Sequence, residues 1–218
     1  MDDPERTPTL ADVQRALALA PFDHETAWQR MAPRPRRMDR PHRMPGDARA
    51  AAVLLLLYPG PDGLSFVLTR RSDAVSTHKG QVSLPGGAVD PDDGSTADAA
   101  LREACEELSL CEDDVRMLGA LTPLYVIVSD FEIQPVVGVL PTRPTFVPNP
   151  AEVAEVIEVP LVTLLDDRVK VSEAWEVQGM ALDVPFYRVG EHAVWGATAI
   201  ILSEFEARLR AALGLPGS

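Results

Sequence analysis

The spacing of apolar and polar positions separates a short preamble from a long body. Residues 9 to 31 repeat apolar side chains at helical intervals, Leu10, Val13 and Leu17 and then Trp28 and Met31, with a break near "APFD" at 20–23. After them "PRPRRMDRPHRMPGD" is rich in Pro and Arg and reads as a linker or wrap-around arm. From Arg49 the pattern changes: "AAAVLLLLY" predicts a buried strand, "PGPDG" a turn and "LSFVLTRR" a second strand. After a Gly-rich loop comes a helix over 96–109. Strands follow in "DDVRMLGALTPLYVIVSD" and "FEIQPVVGVLP", then a hairpin around Gly179 and an amphipathic helix over 196–213. That order implies an α/β fold, a mixed sheet sandwiched by helices. No internal repeat appears. The division expected is an extension over residues 1–48 and one domain over 49–218.

The helix over 96–109 carries the first chemical signal. Ser95 and Asp98 form a capping pair, and at about 100° per residue Ala100, Leu101, Ala104, Cys105 and Leu108 share one arc. That arc is the expected buried face. Glu103, Glu106 and Glu107 fall together on the other side, where like-charge pairs cost a few tenths of a kcal/mol each, and Arg102 is placed to pair with Glu106 four residues on. Such a face is either a solvated charged surface or a carboxylate cluster with something to bind.

Composition narrows the choice. The formal net charge of -13 argues against general nucleic-acid binding, which rests on Lys and Arg neutralising phosphates, and leaves a metal-mediated route to anionic substrates open. No apolar run reaches the ~20 residues needed to span a bilayer, and the acidic start "MDDPERTPTL" lacks the features of a signal peptide, so a cytoplasmic protein is expected. Cys105 and Cys111 are too few for a disulfide framework and read as packed thiols of a reducing compartment. Five arginines between Arg34 and Arg43 form a basic island that reads as solvated linker or as a contact for phosphate or an acidic partner.

The segment "LPGGAVDPDDGSTADAALREACEELSL", 84–110, resembles the Nudix hydrolase motif. That motif runs Gly, five residues, Glu, seven residues, Arg-Glu, an aliphatic, any residue, Glu-Glu, any residue, Gly, an aliphatic. Gly87, Arg102, Glu103, Glu106, Glu107 and Leu110 match; Asp93 stands where the first Glu belongs, residues 94–101 make a gap one longer, and Ser109 replaces the usual Gly. The resemblance implies a Nudix-type α/β/α sandwich that hydrolyses a diphosphate with Mg²⁺ or Mn²⁺, hard ions suited to carboxylates. It also implies Glu103 and Glu107 as main ligands, Glu106 completing the cluster, Arg102 holding the acids, and Gly86 and Gly87 letting the backbone approach metal or pyrophosphate, a carbonyl of Gly86 serving as a further ligand. A distal glutamate is expected to act as base or extra ligand, and Glu152 and Glu155 are equal candidates.

Upstream, "LTRRSDAVSTHKGQVSLPGG", 68–87, resembles the added signature of the coenzyme A pyrophosphatase branch. Leu68, Thr69, Arg71, Ser72, His78, Gly80, Gln81, Pro85, Gly86 and Gly87 match; Val67 and Leu84 are apolar substitutions, Leu84 standing where Phe is usual. The resemblance implies cleavage of CoA or its thioesters to 3',5'-ADP and 4'-phosphopantetheine. Arg70, Arg71, His78, Lys79 and Gln81 become substrate-binding candidates, with no residue assigned to the 3'-phosphate. Another nucleoside diphosphate derivative such as ADP-ribose or a dinucleotide, or a non-catalytic ligand-binding Nudix domain, stays open as an alternative.

Overall fold

Side-chain alternation gives one strand two apolar faces, and that strand is the centre of the molecule. The computed structural model describes residues 7–35, 48–72, 80–111, 115–177 and 179–217. In it β1 (Arg49–Gly60) buries Leu55 and Leu57 on one face and Ala52, Leu54, Leu56 and Tyr58 on the other. β1 is antiparallel to β2 (Gly63–Arg71) across the expected turn and parallel to β7 (Phe131–Val139). β5 (Arg116–Ala120) and β6 (Leu124–Val126) pair with β7, and β8 (Val153–Pro160) pairs with β2. The sheet is therefore mixed, as the element order implied.

The β1–β2 hairpin does not stay closed. β1 pairs with β2 only from Leu57↔Phe66 to Gly60↔Gly63; farther from the turn, β2 pairs with β3 (Val82–Ser83) and β1 with β4 (Gly86–Ala88). Residues 82–88 fill the opening between the diverging strands. Gly86 lies so close to β1 that a Cβ there would overlap the Ala52 carbonyl and Val53, and its φ of +150° suits glycine.

Helices cover both faces. α3 (Thr96–Leu108) packs on one; α4 (Gly196–Leu213) packs on the other with α1 (Leu10–Leu17), α2 (His24–Met31) and a second sheet of β9 (Lys170–Val177), β10 (Met180–Val189) and β11 (His192–Trp195). The β9–β10 hairpin turns at Gly179 as expected, and the break between α1 and α2 falls at "APFD". Arg34, the start of the basic island, makes a two-way backbone bridge with Asp183; Arg36, Arg37, Arg40 and Arg43 lie outside the described residues. No helix among the described residues is long and apolar enough to cross a membrane.

Two expectations are corrected. α4 is not a half-exposed amphipathic helix: Thr198–Phe205 are all buried, and so are Glu206, Arg208 and Arg210, because α1, α2 and the second sheet surround it. Cys105 and Cys111 are not packed thiols but form a disulfide. Ser109 takes the left-handed conformation after α3 and turns the chain back, bringing the two Cα atoms to 4.6 Å, within disulfide range. The cysteine argument for a reducing compartment falls with it.

Candidate active site

Alanines determine how α3 meets the sheet. Ala99, Ala100 and Ala104 are fully buried and allow close approach to β1 and β4, which rotates the buried stripe away from Leu101 and Cys105. Glu107 therefore enters the interface instead of joining Glu106 in solvent, and its side chain is only 3% exposed. Glu103 is mostly covered at 16% and Glu106 remains exposed at 52%. The three acids thus form a gradient of burial and not the single solvent-facing set that the helical spacing suggested.

Burial governs their charge. Desolvation pushes the Glu107 carboxyl up to about 8; the Glu103 and Glu152 charges add to the rise, while Arg71 and the Gly86 N–H oppose it. Arg71 is the cation facing it, Nη1 lying 4.0 Å from Glu107 Oε1. Glu107 Oε2 and Arg71 Nε are buried without a hydrogen-bond partner. Glu103 is also raised, by burial first, with Arg102 lowering it and Glu106 and Glu152 raising it. A Cβ on Gly87 would overlap the Glu103 carboxylate, so this glycine leaves room for an acid.

Arg102 organises the outer half. Its Nε and Nη2 reach the two Asp93 oxygens at 3.1 Å each, Nη1 reaches Glu103 at 2.9 Å and Glu106 at 3.2 Å, and Nη2 also donates to the Ala88 carbonyl at 3.0 Å. The pairing with Glu106 is the one expected from spacing, and the bidentate grip explains how Asp serves at 93: Arg102 holds its carboxyl below the usual range. Ser95 caps α3 with Asp98 as read from sequence. Ser109 at φ 54° adopts the conformation that Gly supplies more easily, and its hydroxyl donates to the Val147 carbonyl at 3.1 Å, a bond Gly lacks.

The ends of β2 and β8 sort the remaining candidates. Register passes from Arg70↔Glu155 to Arg71↔Val153, so Ala154 is an extra residue, a bulge that changes which side chains face α3. Val153 and Val156 pack on the α3 side, whereas Ile157 and Val159 join the opposite cluster. Arg71 accordingly points to Glu107, and Arg70 pairs with Glu155 at 3.1 Å. Glu155 also meets His192 Nε2 at 3.1 Å, and Arg70 first and His192 next hold its carboxyl below the usual range. Glu152, next to Val153, adds negative field to Glu103 and Glu107. Gln81 is tied in by its carbonyl, which accepts from the Arg71 N–H at 2.9 Å; His78 and Lys79 lie outside the described residues. His192 had no sequence signal; Asn149, described below, had one in its Asn-Pro turn.

Among the described residues no three His, Cys, Asp or Glu side chains already converge around an ion position. The donor set nevertheless fits a hard divalent cation: it offers carboxylate oxygens, a buried Glu107 oxygen without a partner and a glycine beside Glu103. A cation there would oppose the desolvation first, and the repulsion second, that raise both carboxyl groups.

Residues 48–174 match the family model described as NUDIX domain. The chain belongs to the Nudix hydrolase family. It is 39% identical over 168 residues to the uncharacterized Nudix hydrolase NudL of Photorhabdus laumondii subsp. laumondii, covering 75% of this chain and 87% of that one. To Nudix hydrolase 15, mitochondrial, of Arabidopsis thaliana it is 39% identical over 161 residues, 71% of this chain and 56% of the plant protein, so it spans little more than half of that relative. The crystal structure of a MutT/nudix family protein from Enterococcus faecalis shares the fold, with a TM-score of 0.50 and 14% identity over 91% of this chain and 73% of that one. This Nudix hydrolase is a pyrophosphatase. Nudix hydrolases generally use divalent metals such as Mg²⁺ or Mn²⁺.

Proposed function

We propose that this Nudix hydrolase cleaves the diphosphate of coenzyme A or its thioesters, with Mg²⁺ or Mn²⁺, to give 3',5'-ADP and 4'-phosphopantetheine or its acyl form. The observation that carries the reading is where the CoA-type signature lies. Its two described parts, 67–72 and 80–87, meet beside the acids: the Gly80 N–H donates to the Arg71 carbonyl, the Arg71 N–H to the Gln81 carbonyl and the Ser72 N–H to the Glu152 carbonyl. A sequence resemblance that bears on substrate choice thus belongs to the wall of the acidic site.

Glu103 and Glu107 would hold the cation, with Glu106 at the rim and the Gly86 backbone alongside. When bound, the ion neutralises phosphate charge and makes water a stronger acid. Glu152 serves as the distal acid and takes the proton of the attacking water, since its charge reaches Glu103 and Glu107 whereas Glu155 is engaged by Arg70 and His192. Arg71 presents its guanidinium to a phosphate oxygen, and Arg102 keeps Glu103 and Glu106 oriented.

Purified protein with Mg²⁺, given CoA, dephospho-CoA, ADP-ribose and a dinucleotide, tests the reading through product identification. A site that pairs the 3'-phosphate should prefer CoA over dephospho-CoA by roughly ten- to a hundredfold in kcat/KM, the worth of a charged hydrogen bond. Equal rates on these two remove the 3'-phosphate claim, and faster cleavage of ADP-ribose moves the enzyme to another substrate class.

A further inference from the structure

One residue bonds to both halves of the acidic site. The Asn149 N–H donates to the Glu107 carbonyl at 2.8 Å, while the Asn149 carbonyl accepts from the Glu152 N–H at 3.0 Å and the Val153 N–H at 2.8 Å. Its side-chain Oδ1 accepts from the Ala151 N–H at 3.1 Å, which fixes the amide's orientation and leaves Nδ2 donating to Glu152 Oε1 at 3.4 Å. Two residues earlier the Val147 N–H donates to the Leu108 carbonyl at 2.9 Å, so this strap supplies partners for carbonyls in the last turn of α3.

We infer that Asn149 is a positioning residue that sets the Glu152 carboxylate against Glu107. Its backbone ties the strap to the helix turn bearing Glu107, and its side-chain amide restrains the carboxylate three residues on. Glu152 is already under repulsion from two acids, and without the amide donor it is free to swing toward solvent. The inference rests on the reading of Glu152 as the distal acid.

Asn149→Ser tests it, because Ser keeps an acceptor for the Ala151 N–H and removes only the donor to Glu152. The variant should lose about tenfold in kcat, as outer residues that orient a site do, with KM within about twofold and Tm within ~2 °C. Glu152→Gln should lose about a hundredfold. In the Glu152→Gln background, Asn149→Ser should cost less than about twofold, since no carboxylate remains to orient. Mn²⁺ binding without substrate, followed by EPR, should show the same coupling: weaker in Asn149→Ser, and no weaker still when added to Glu152→Gln. Additive losses in either readout, or wild-type kcat in Asn149→Ser, overturn the inference while leaving Glu152 in place. Full activity in Glu152→Gln overturns the reading beneath it. Should Asn149→Ser not fold, Asn149→Asp, which keeps the turn acceptor, enters the same cycle and is judged by the same criterion.

Discussion

Two sets of buried acids lie on opposite sides of the central sheet, and they are held in contrasting ways. On α4, Glu204 Oε1 accepts from Arg208 at 2.9 Å and from the Thr122 N–H and hydroxyl at 3.2 and 2.9 Å, and Oε2 accepts from the Trp28 indole at 3.1 Å. Glu206 Oε1 meets Lys170 and Arg210, and Oε2 accepts from the Tyr187 hydroxyl at 2.7 Å. Every carboxylate oxygen has a partner. On α3, Glu107 is about as deeply buried, yet one oxygen has no partner and the facing arginine stands 4.0 Å away. A completed network holds helices together; an incomplete one leaves a buried carboxyl oxygen unmatched.

The contrast is sharpest under the same substitution at both places. Glu107→Gln should lower turnover at least about a hundredfold, measured with saturating Mg²⁺, because a ligand charge is gone. Without divalent ions it should raise Tm at pH 8. The folded carboxyl titrates near 8, above its ordinary value, so its favourable contribution is full at low pH and is lost as pH rises through 8. Gln lacks that loss, so the difference in Tm should shrink toward zero at pH 5. Glu206→Gln should do the reverse, costing about 2–3 kcal/mol in denaturant unfolding by removing the buried one of the two carboxylates, Glu206 and Asp167, that Lys170 and Arg210 share. Activity per folded molecule should be unchanged. If Glu107→Gln destabilises as Glu206→Gln does, the distinction between the two sites is wrong.

A smaller effect comes from the ion itself. Mg²⁺ at about 10 times its Kd should stabilise the native enzyme by ~1.4 kcal/mol, a rise of a few degrees in Tm, and Glu107→Gln should lose most of that rise. The smallest effect separates neighbours: Arg71→Ala should reduce CoA turnover by about tenfold or more, and Arg70→Ala by less than about threefold. Equal losses would show that Arg70 acts in the site despite its pairing with Glu155.

β1, β2, the strands on either side of Asp130, the Gly179 hairpin and the helix capped by Ser95 were legible from local patterns, whereas β3 and β4 fall in what read as a Gly-rich loop because their pairing depends on the opening between β1 and β2. The Arg102 pairing was legible too, since residues four apart on a helix must be neighbours. The depth of Glu107 was not, because it depends on three alanines admitting α3 closely to β4, a tertiary fact. The surroundings of α4 were hidden for a similar reason: Glu204 with Arg208 and Glu206 with Arg210 show in the sequence as helical pairs, but the indole of Trp28 and the hydroxyl of Tyr187 come from distant segments. Glu152 and Glu155 could not be told apart because Arg70 and His192, which engage Glu155, come from distant segments, and the start of β8 between the two acids leaves no periodic trace.

That bulge has a consequence for how such a site changes through descent. Strand side chains alternate, and the bulge at Ala154 takes up one residue between Val153, on the α3 side, and Glu155, on the other, while Glu152 precedes the strand in the Asn149 turn. A point substitution at Ala154 leaves these faces as they are. Deleting that one codon would set Val153 and Glu155 side by side opposite Arg71 and Arg70 and leave each on its present face, so the loss of one residue is absorbed. A one-residue gap at the bulge is therefore silent for the faces of the strand, whereas the same gap farther along β8, where the ladder is regular, would turn every side chain beyond it to the opposite side.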